Sequence, residues 1–227
     1  MFKNNIVKAR TINDAWRDTM WLCVVNGYDY KIEQGSYVGQ IRKQLEYLTI
    51  IIEEPWQTPL AVSLPEGLGF APPTSEEKIQ NYFFNYLLSN KKEDKTSYTY
   101  GQYILKQIDP VINKLYNSNG NTNQAVISIG NERSIYLNDP PCLRTIDFKV
   151  VDGKLNMTVY FRSWDIFAGL PENLGGLQLL KEYVLNFLDD TEDGKLIAHS
   201  AGAHLYEMYF SLVNQLCVDK ISVSDGK

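Results

Sequence analysis

Lys154-Leu155-Asn156-Met157-Thr158-Val159-Tyr160-Phe161 sets Leu155, Met157, Val159 and Phe161 in alternation with Lys154, Asn156, Thr158 and Tyr160. A period of two sends successive side chains to opposite faces of a pleated strand, so this segment is expected to be a strand with one buried face. Val151-Asp152-Gly153, just upstream, is a hairpin turn sequence, and 144–150 reads as the partner strand. The pairing is therefore antiparallel.

Working outward, Thr11-Ile12-Asn13-Asp14 reads as an N-cap with an acid three residues on, opening a helix that ends at Gly27. Residues 45–54 are β-branched, bounded by Pro55, and predict a strand. The proline-rich 55–73 predicts a loop whose Trp56, Leu60, Val62, Leu64 and Phe70 need burial. Ser75 caps a helix through Ile79, Tyr82, Phe83, Tyr86 and Leu87, and 90–95 is expected to be a surface loop. Further helices are predicted over 103–116, 173–187 and 203–216, with strands at 124–129 and 195–198. Gly175-Gly176 leaves room for another element to approach. Helices and strands mix without strict alternation, which places the chain in the α/β class in its α+β form, a mixed β-sheet layered with helices in a single domain spanning 1–227.

A net charge of −5 is wrong for a polyanion such as nucleic acid, which needs a basic face. No apolar run reaches the roughly 20 residues that span a bilayer, and the N-terminus lacks a secretory signal, so a cytoplasmic protein is expected, neither exported nor in a membrane. The three cysteines, Cys23, Cys142 and Cys217, form neither a disulfide framework nor a zinc spacing, and with two histidines no metal site is expected. Cys23 and Cys217 sit among apolar neighbours and read as core.

Cys142 differs. It follows Pro140-Pro141, which pre-set the backbone, and twenty residues later comes Arg162-Ser163-Trp164-Asp165. On spacing alone Cys142 is either a structural cysteine in a turn or a nucleophile. A thiol with a pKa of roughly 8.5 becomes effective near neutrality when a positive charge is close, and Arg162 could supply it. Gly169-Leu170-Pro171-Glu172-Asn173 and Ala203-His204-Leu205-Tyr206 add an amide, an imidazole and a phenol. Asn173 is alternatively an N-cap, His204 a satisfied core histidine and Arg162 half of a surface ion pair.

The order and spacing of these four segments resemble the thymidylate synthase superfamily, most clearly from Tyr98 to Tyr209. The resemblance implies a homodimer that methylates C5 of dUMP to give dTMP, with 5,10-methylenetetrahydrofolate as one-carbon donor. It gives Cys142 the role of the thiolate that adds to C6 of the pyrimidine. Arg162 and Ser163 would bind the 5′-phosphate, Asn173 would read the uracil amide, and His204 with Tyr206 would hold the sugar. Tyr100, in Tyr98-Thr99-Tyr100-Gly101, would reach the catalytic centre, and Asp165 would contact the folate.

The match also has gaps. Longer members carry paired arginines where this chain has Asn123 and Gln124, a histidine where it has Leu143, and an aromatic where it has Glu172. Arg42 or Arg144 is expected to compensate for the arginines. Glu76 and Glu77 are the candidates for the family's catalytic glutamate on an early helix, and Glu172 is either a surface residue or an acid–base group. The chain ends about a dozen residues after its last matched segment, which resembles the short, archaeal-type branch. Two rivals stay open: a dUMP or dCMP hydroxymethylase, and a non-catalytic nucleotide-binding protein.

Overall fold

The structure, a computed structural model, describes residues 3–35, 37–65, 70–92 and 98–224. In chain order these form β1 (Ile6–Ala9), α1 (Ile12–Asn26), β2 (Tyr28–Lys31), β3 (Ile41–Gln44), β4 (Leu48–Ile52), α2 (Glu76–Tyr82), α3 (Gly101–Ile104), α4 (Ile108–Asn117) and β5 (Val126–Ser128). Then come β6 (Leu143–Val151), β7 (Lys154–Phe161), β8 (Trp164–Asp165), α5 (Gly169–Leu185), β9 (Glu192–Ser200), β10 (Ala203–Tyr206) and α6 (Phe210–Ser224). A π-helical turn, Phe83–Leu87, continues α2. The fold is α+β, as expected.

The β6–β7 hairpin lies in a six-stranded mixed sheet ordered β1-β4-β9-β7-β6-β5, with β7 and β9 at its centre. Leu155, Met157, Val159 and Phe161 are all buried, so the alternation does set the face. Burying each such side chain contributes about 1.5–3 kcal/mol. At the turn both Asp152 (φ 51°) and Gly153 (φ 74°) are left-handed, the backbone whose twist matches a two-residue hairpin. A second, four-stranded sheet runs β2-β3-β10-β8.

The helices cover the main sheet by the packing their sequences encode. Thr11 and Asp14 form a reciprocal capping box, and α1 buries Ile12, Ala15, Trp16, Thr19, Met20 and Cys23 along one stripe. Helix α5 meets α2 through its two glycines. A Cβ on Gly175 would lie 2.7 Å from Ile79, and one on Gly176 would lie 2.3 Å from the Tyr82 ring.

Several expected boundaries move. The helix expected over 103–116 is two pieces, α3 and α4, and the strand at 195–198 is the nine-residue β9. The helix expected from 203 begins at Phe210, because Ala203–Tyr206 pairs with β3 and β8 as a strand. Helix α5 starts at Gly169, not 173, with Pro171 in its first turn, where a missing N–H is harmless. In the loop after β4, Leu60 and Val62 are buried as expected, but Phe70 is 58% exposed. Residues 93–95 of the expected surface loop lie outside the described residues. Among the described residues no helix is long and apolar enough to cross a membrane.

Candidate active site

The hairpin brings the ends of its two strands together. Leu143 pairs with Phe161, so Cys142 and Arg162, twenty residues apart in sequence, stand one step beyond that pair. The Arg162 guanidinium donates through Nε to the Pro141 carbonyl at 3.1 Å and through Nη2 to the Pro140 carbonyl, and it pairs with Asp139 at 3.5 Å. Cys142 is half-buried. Burial pushes its thiol above the ordinary value, Arg162 pulls it back and Asp139 adds to the rise. The expected activation by Arg162 is thus present but outweighed by burial of the thiol, and the same guanidinium is also held by two carbonyls and shared with a carboxylate.

A wall of tyrosines closes one side. Leu143 donates its backbone N–H to the Tyr100 hydroxyl at 3.1 Å, which fixes the phenol beside the thiol. The Tyr86 ring meets Tyr100 edge-on at 5.0 Å and stacks on Tyr82 at 5.6 Å. Burial raises all three phenols, Tyr86 to about 12, so each is a protonated hydrogen-bonding group across the physiological range.

On the next side, β8 and α5 present Trp164, Asp165 and Asn173. Asp165 Oδ1 accepts from the backbone N–H groups of Phe167 and Ala168 at 2.9 and 3.3 Å, capping the entry to α5. Burial still raises its carboxyl, against the pull of those two bonds. The Trp164 indole donates to Asn173 Oδ1 at 2.9 Å. Asn173 lies in the second turn of α5 and is not an N-cap.

Strand β10 supplies the remaining pair. His204 sits opposite Asp165 on one neighbour and Gln44 on the other, and Tyr206 sits opposite Arg42. His204 Nδ1 donates to the Gly202 carbonyl at 2.8 Å, which leaves Nε2 as an acceptor, buried and without a partner among the described residues. Burial pushes this histidine down to about 4, with Arg42 adding to the effect. The Arg42 guanidinium lies over the Tyr30 ring at 4.6 Å, its own Nε buried without a hydrogen bond among the described residues. Ser163, half-buried, follows Arg162 just before β8, with its backbone beside Gly202.

Beside the tyrosine wall lies a polar cleft of about 530 Å³, lined by Lys78, Asn81, Asn85, Lys91, Thr99 and Glu172 as well as Tyr82 and Tyr86. Glu172 is raised by burial, with Lys78 opposing. Glu76 instead accepts from the Ala61 N–H at 2.7 Å, and Glu77 is exposed at the start of α2, so neither lies in this cleft.

A family model described as thymidylate synthase matches residues 76–222. The chain belongs to the thymidylate synthase family. It is 32% identical over 217 residues to a Methanosarcina barkeri protein named "Putative thymidylate synthase", covering 93% of this chain and 94% of the relative. A like-named Methanosarcina acetivorans protein is 30% identical with the same coverage, and one from Methanothermobacter thermautotrophicus is 25% identical over 90% of this chain and 94% of the relative.

Within this thymidylate synthase fold, Asn123 accepts from Lys149 and Gln124 from Lys114, each at 2.7 Å. The amides that replace the longer members' arginine pair are therefore each bound to an ammonium group. Of the two arginines expected to compensate, Arg42 joins the Tyr206 side of the site, whereas Arg144 points toward Gly130. Trp164, Tyr82 and Tyr86 are site residues that sequence reading assigned no role. The only signal was the indole lying between Ser163 and Asp165.

Proposed function

We propose that this chain transfers a one-carbon unit to C5 of dUMP, giving dTMP, through a covalent adduct between Cys142 and C6 of the base. The observation that carries this is the meeting of the Cys142 thiol and the Arg162 guanidinium at the open end of the β6–β7 hairpin in a member of this family. As the Sγ–C6 bond forms, the C5=C6 pair shifts toward the C4 carbonyl oxygen, and C5 becomes a carbon nucleophile.

Arg162 and Ser163 hold the 5′-phosphate, since guanidinium forks and hydroxyls suit that group, and Arg42 adds a second fixed charge. Asn173 reads the uracil edge. His204 Nε2, a neutral acceptor, and Tyr206 take sugar hydroxyls, and Tyr100 hydrogen-bonds beside the reacting carbon. The polar cleft fits a one-carbon donor with an acidic tail: Lys78 and Lys91 suit carboxylates such as those of 5,10-methylenetetrahydrofolate, and Asp165, outside that lining, is the residue that the family resemblance gives to the folate. When bound, that donor supplies the carbon and the hydride. The reading includes a homodimer in the cytoplasm.

The polarity of the cleft favours one second reading. A half-buried Glu172 among lysines and asparagines can hold water near C5, and hydroxide in place of hydride gives a hydroxymethyl product. Mass spectrometry of the nucleotide after incubation with dUMP and methylenetetrahydrofolate tests both, with Cys142→Ala as control. A methyl gain that needs Cys142 supports the synthase, a hydroxymethyl gain moves the assignment to hydroxymethylase, and no product refutes the folate-dependent reading.

A further inference from the structure

We propose that Trp164 determines base specificity by fixing which way the Asn173 amide points. The inference rests on Asn173 being the base reader, and it deepens that role. An asparagine side chain has two N–H donors and an oxygen with two lone pairs, and rotation by 180° exchanges them. An indole N–H is a donor only. At 2.9 Å from Trp164 Nε1, the group facing the indole must therefore be Oδ1.

Trp164 cannot yield to the opposite arrangement. It is 3% exposed, its ring stacks on Phe161 at 4.2 Å with planes 4° apart, and its backbone N–H is held by the Gly202 carbonyl at 3.1 Å. On its other side Asn173 neighbours the Tyr82 phenol, whose buried oxygen has no hydrogen-bond partner of good geometry among the described residues. A phenol can donate or accept, so Tyr82 tolerates either amide orientation while the indole permits one.

With one lone pair engaged by the indole, Oδ1 keeps a second for the N3–H of a uracil, and the amino group can donate to the adjacent carbonyl. A cytosine edge presents an acceptor at N3 and an amino group at C4, the reverse order. To read it, Asn173 would have to turn its amino group onto the indole N–H. Two buried donors would then face each other, a penalty corresponding to about 5- to 150-fold in affinity.

Titrating dUMP and dCMP into the full chain and into Trp164→Phe tests this. Phenylalanine keeps an aromatic ring against Phe161 and removes the N–H. The intact chain is expected to prefer dUMP, and the variant to narrow the dUMP-to-dCMP ratio by about 5- to 150-fold. Tyr82→Phe is expected to leave the ratio unchanged, since that phenol tolerates either amide orientation. If Trp164→Phe does not fold, 3-benzothienylalanine at position 164 keeps the two-ring shape without the donor.

A ratio unchanged in the variant, with both nucleotides weakened equally, would mean that Trp164 only packs and would overturn the proposal. The base-reading role of Asn173 would survive that result if 5-fluoro-dUMP still attached to Cys142 and Asn173→Ala abolished binding. An intact chain that binds neither nucleotide, or prefers dCMP, refutes both.

Discussion

The backbone N–H of Arg162 donates to the carbonyl of Cys142 at 2.9 Å, one step past the Leu143–Phe161 pair that ends the hairpin. The thiol and the guanidinium are thus fixed to adjacent strand ends by main-chain bonds, whatever their side chains do. Their coupling is set by β-sheet register, and a slip of one residue would send one of them to the opposite face.

That proximity leaves the Cys142 thiol under three influences: burial raises it, Arg162 lowers it and Asp139 raises it. Iodoacetamide labelling of Cys142, followed by peptide mapping, is expected to be still accelerating above pH ~8.5, the ordinary thiol value. At pH 8, Asp139→Asn should speed labelling and Arg162→Gln should slow it, each by roughly a few-fold. Equal rates in all three proteins would remove the electrostatic link.

His204 links the site to stability. Its folded value of about 4 lies below the unfolded 6.5, so between these pH values the unfolded chain binds more protons and stability rises with pH. The contribution is full above the unfolded value and is lost as pH falls toward the folded one, by about 2 kcal/mol between pH 7 and 4.5. Urea unfolding at those two pH values should show this loss, and His204→Gln should flatten it. An unchanged slope in the variant would show that other groups carry the acid sensitivity.

The hairpin was legible because period-two burial and an Asp-Gly turn are both local signals. The second sheet was not. All four residues of β2 are exposed and β8 is two residues long, so neither carries an alternation to read. Strand β10 reads as part of the following helix because Ala203-His204-Leu205-Tyr206 has no breaker before Phe210, and only pairing with β3 and β8 makes it extended. Cys142, Arg162 and His204 could be singled out by residue type and order. Trp164 gains its meaning only from landing beside Asn173 after the β8–α5 turn, a relationship no spacing encodes.

Gly176 ties helix packing to the site wall. A methyl group there would sit 2.3 Å from Tyr82 Cδ1, and Tyr82 stacks on Tyr86. Gly176→Ala should therefore destabilise by about 1–3 kcal/mol through overpacking, despite alanine's better helix propensity. At Gly169 the nearest atom to an added Cβ is 3.5 Å away, an ordinary contact, so Gly169→Ala should be close to neutral. Denaturant midpoints of the two variants compare them directly. Equal midpoints would show that α2 can shift to admit the methyl.

Lys181 lies in the apolar stripe of α5 and is wholly buried, its ammonium 2.7 Å from Asp193, bonded to the Gly194 carbonyl and 5.8 Å from the Trp56 ring. Burial lowers its pKa and Asp193 opposes that shift. Removing the lysine leaves Asp193, only 15% exposed, with Gln178 as a remaining donor at 2.6 Å. Lys181→Met fills the space but strands that carboxylate, and is expected to destabilise by about 3 kcal/mol, the low end for breaking a buried pair because Gln178 stays. Adding Asp193→Asn removes the stranded charge and should recover part of the loss, since replacing both partners is far less damaging than replacing one. Urea unfolding of the single and double variants gives the coupling. A Lys181→Met protein as stable as the parent would show that the buried pair contributes nothing net to the α5–β9 contact.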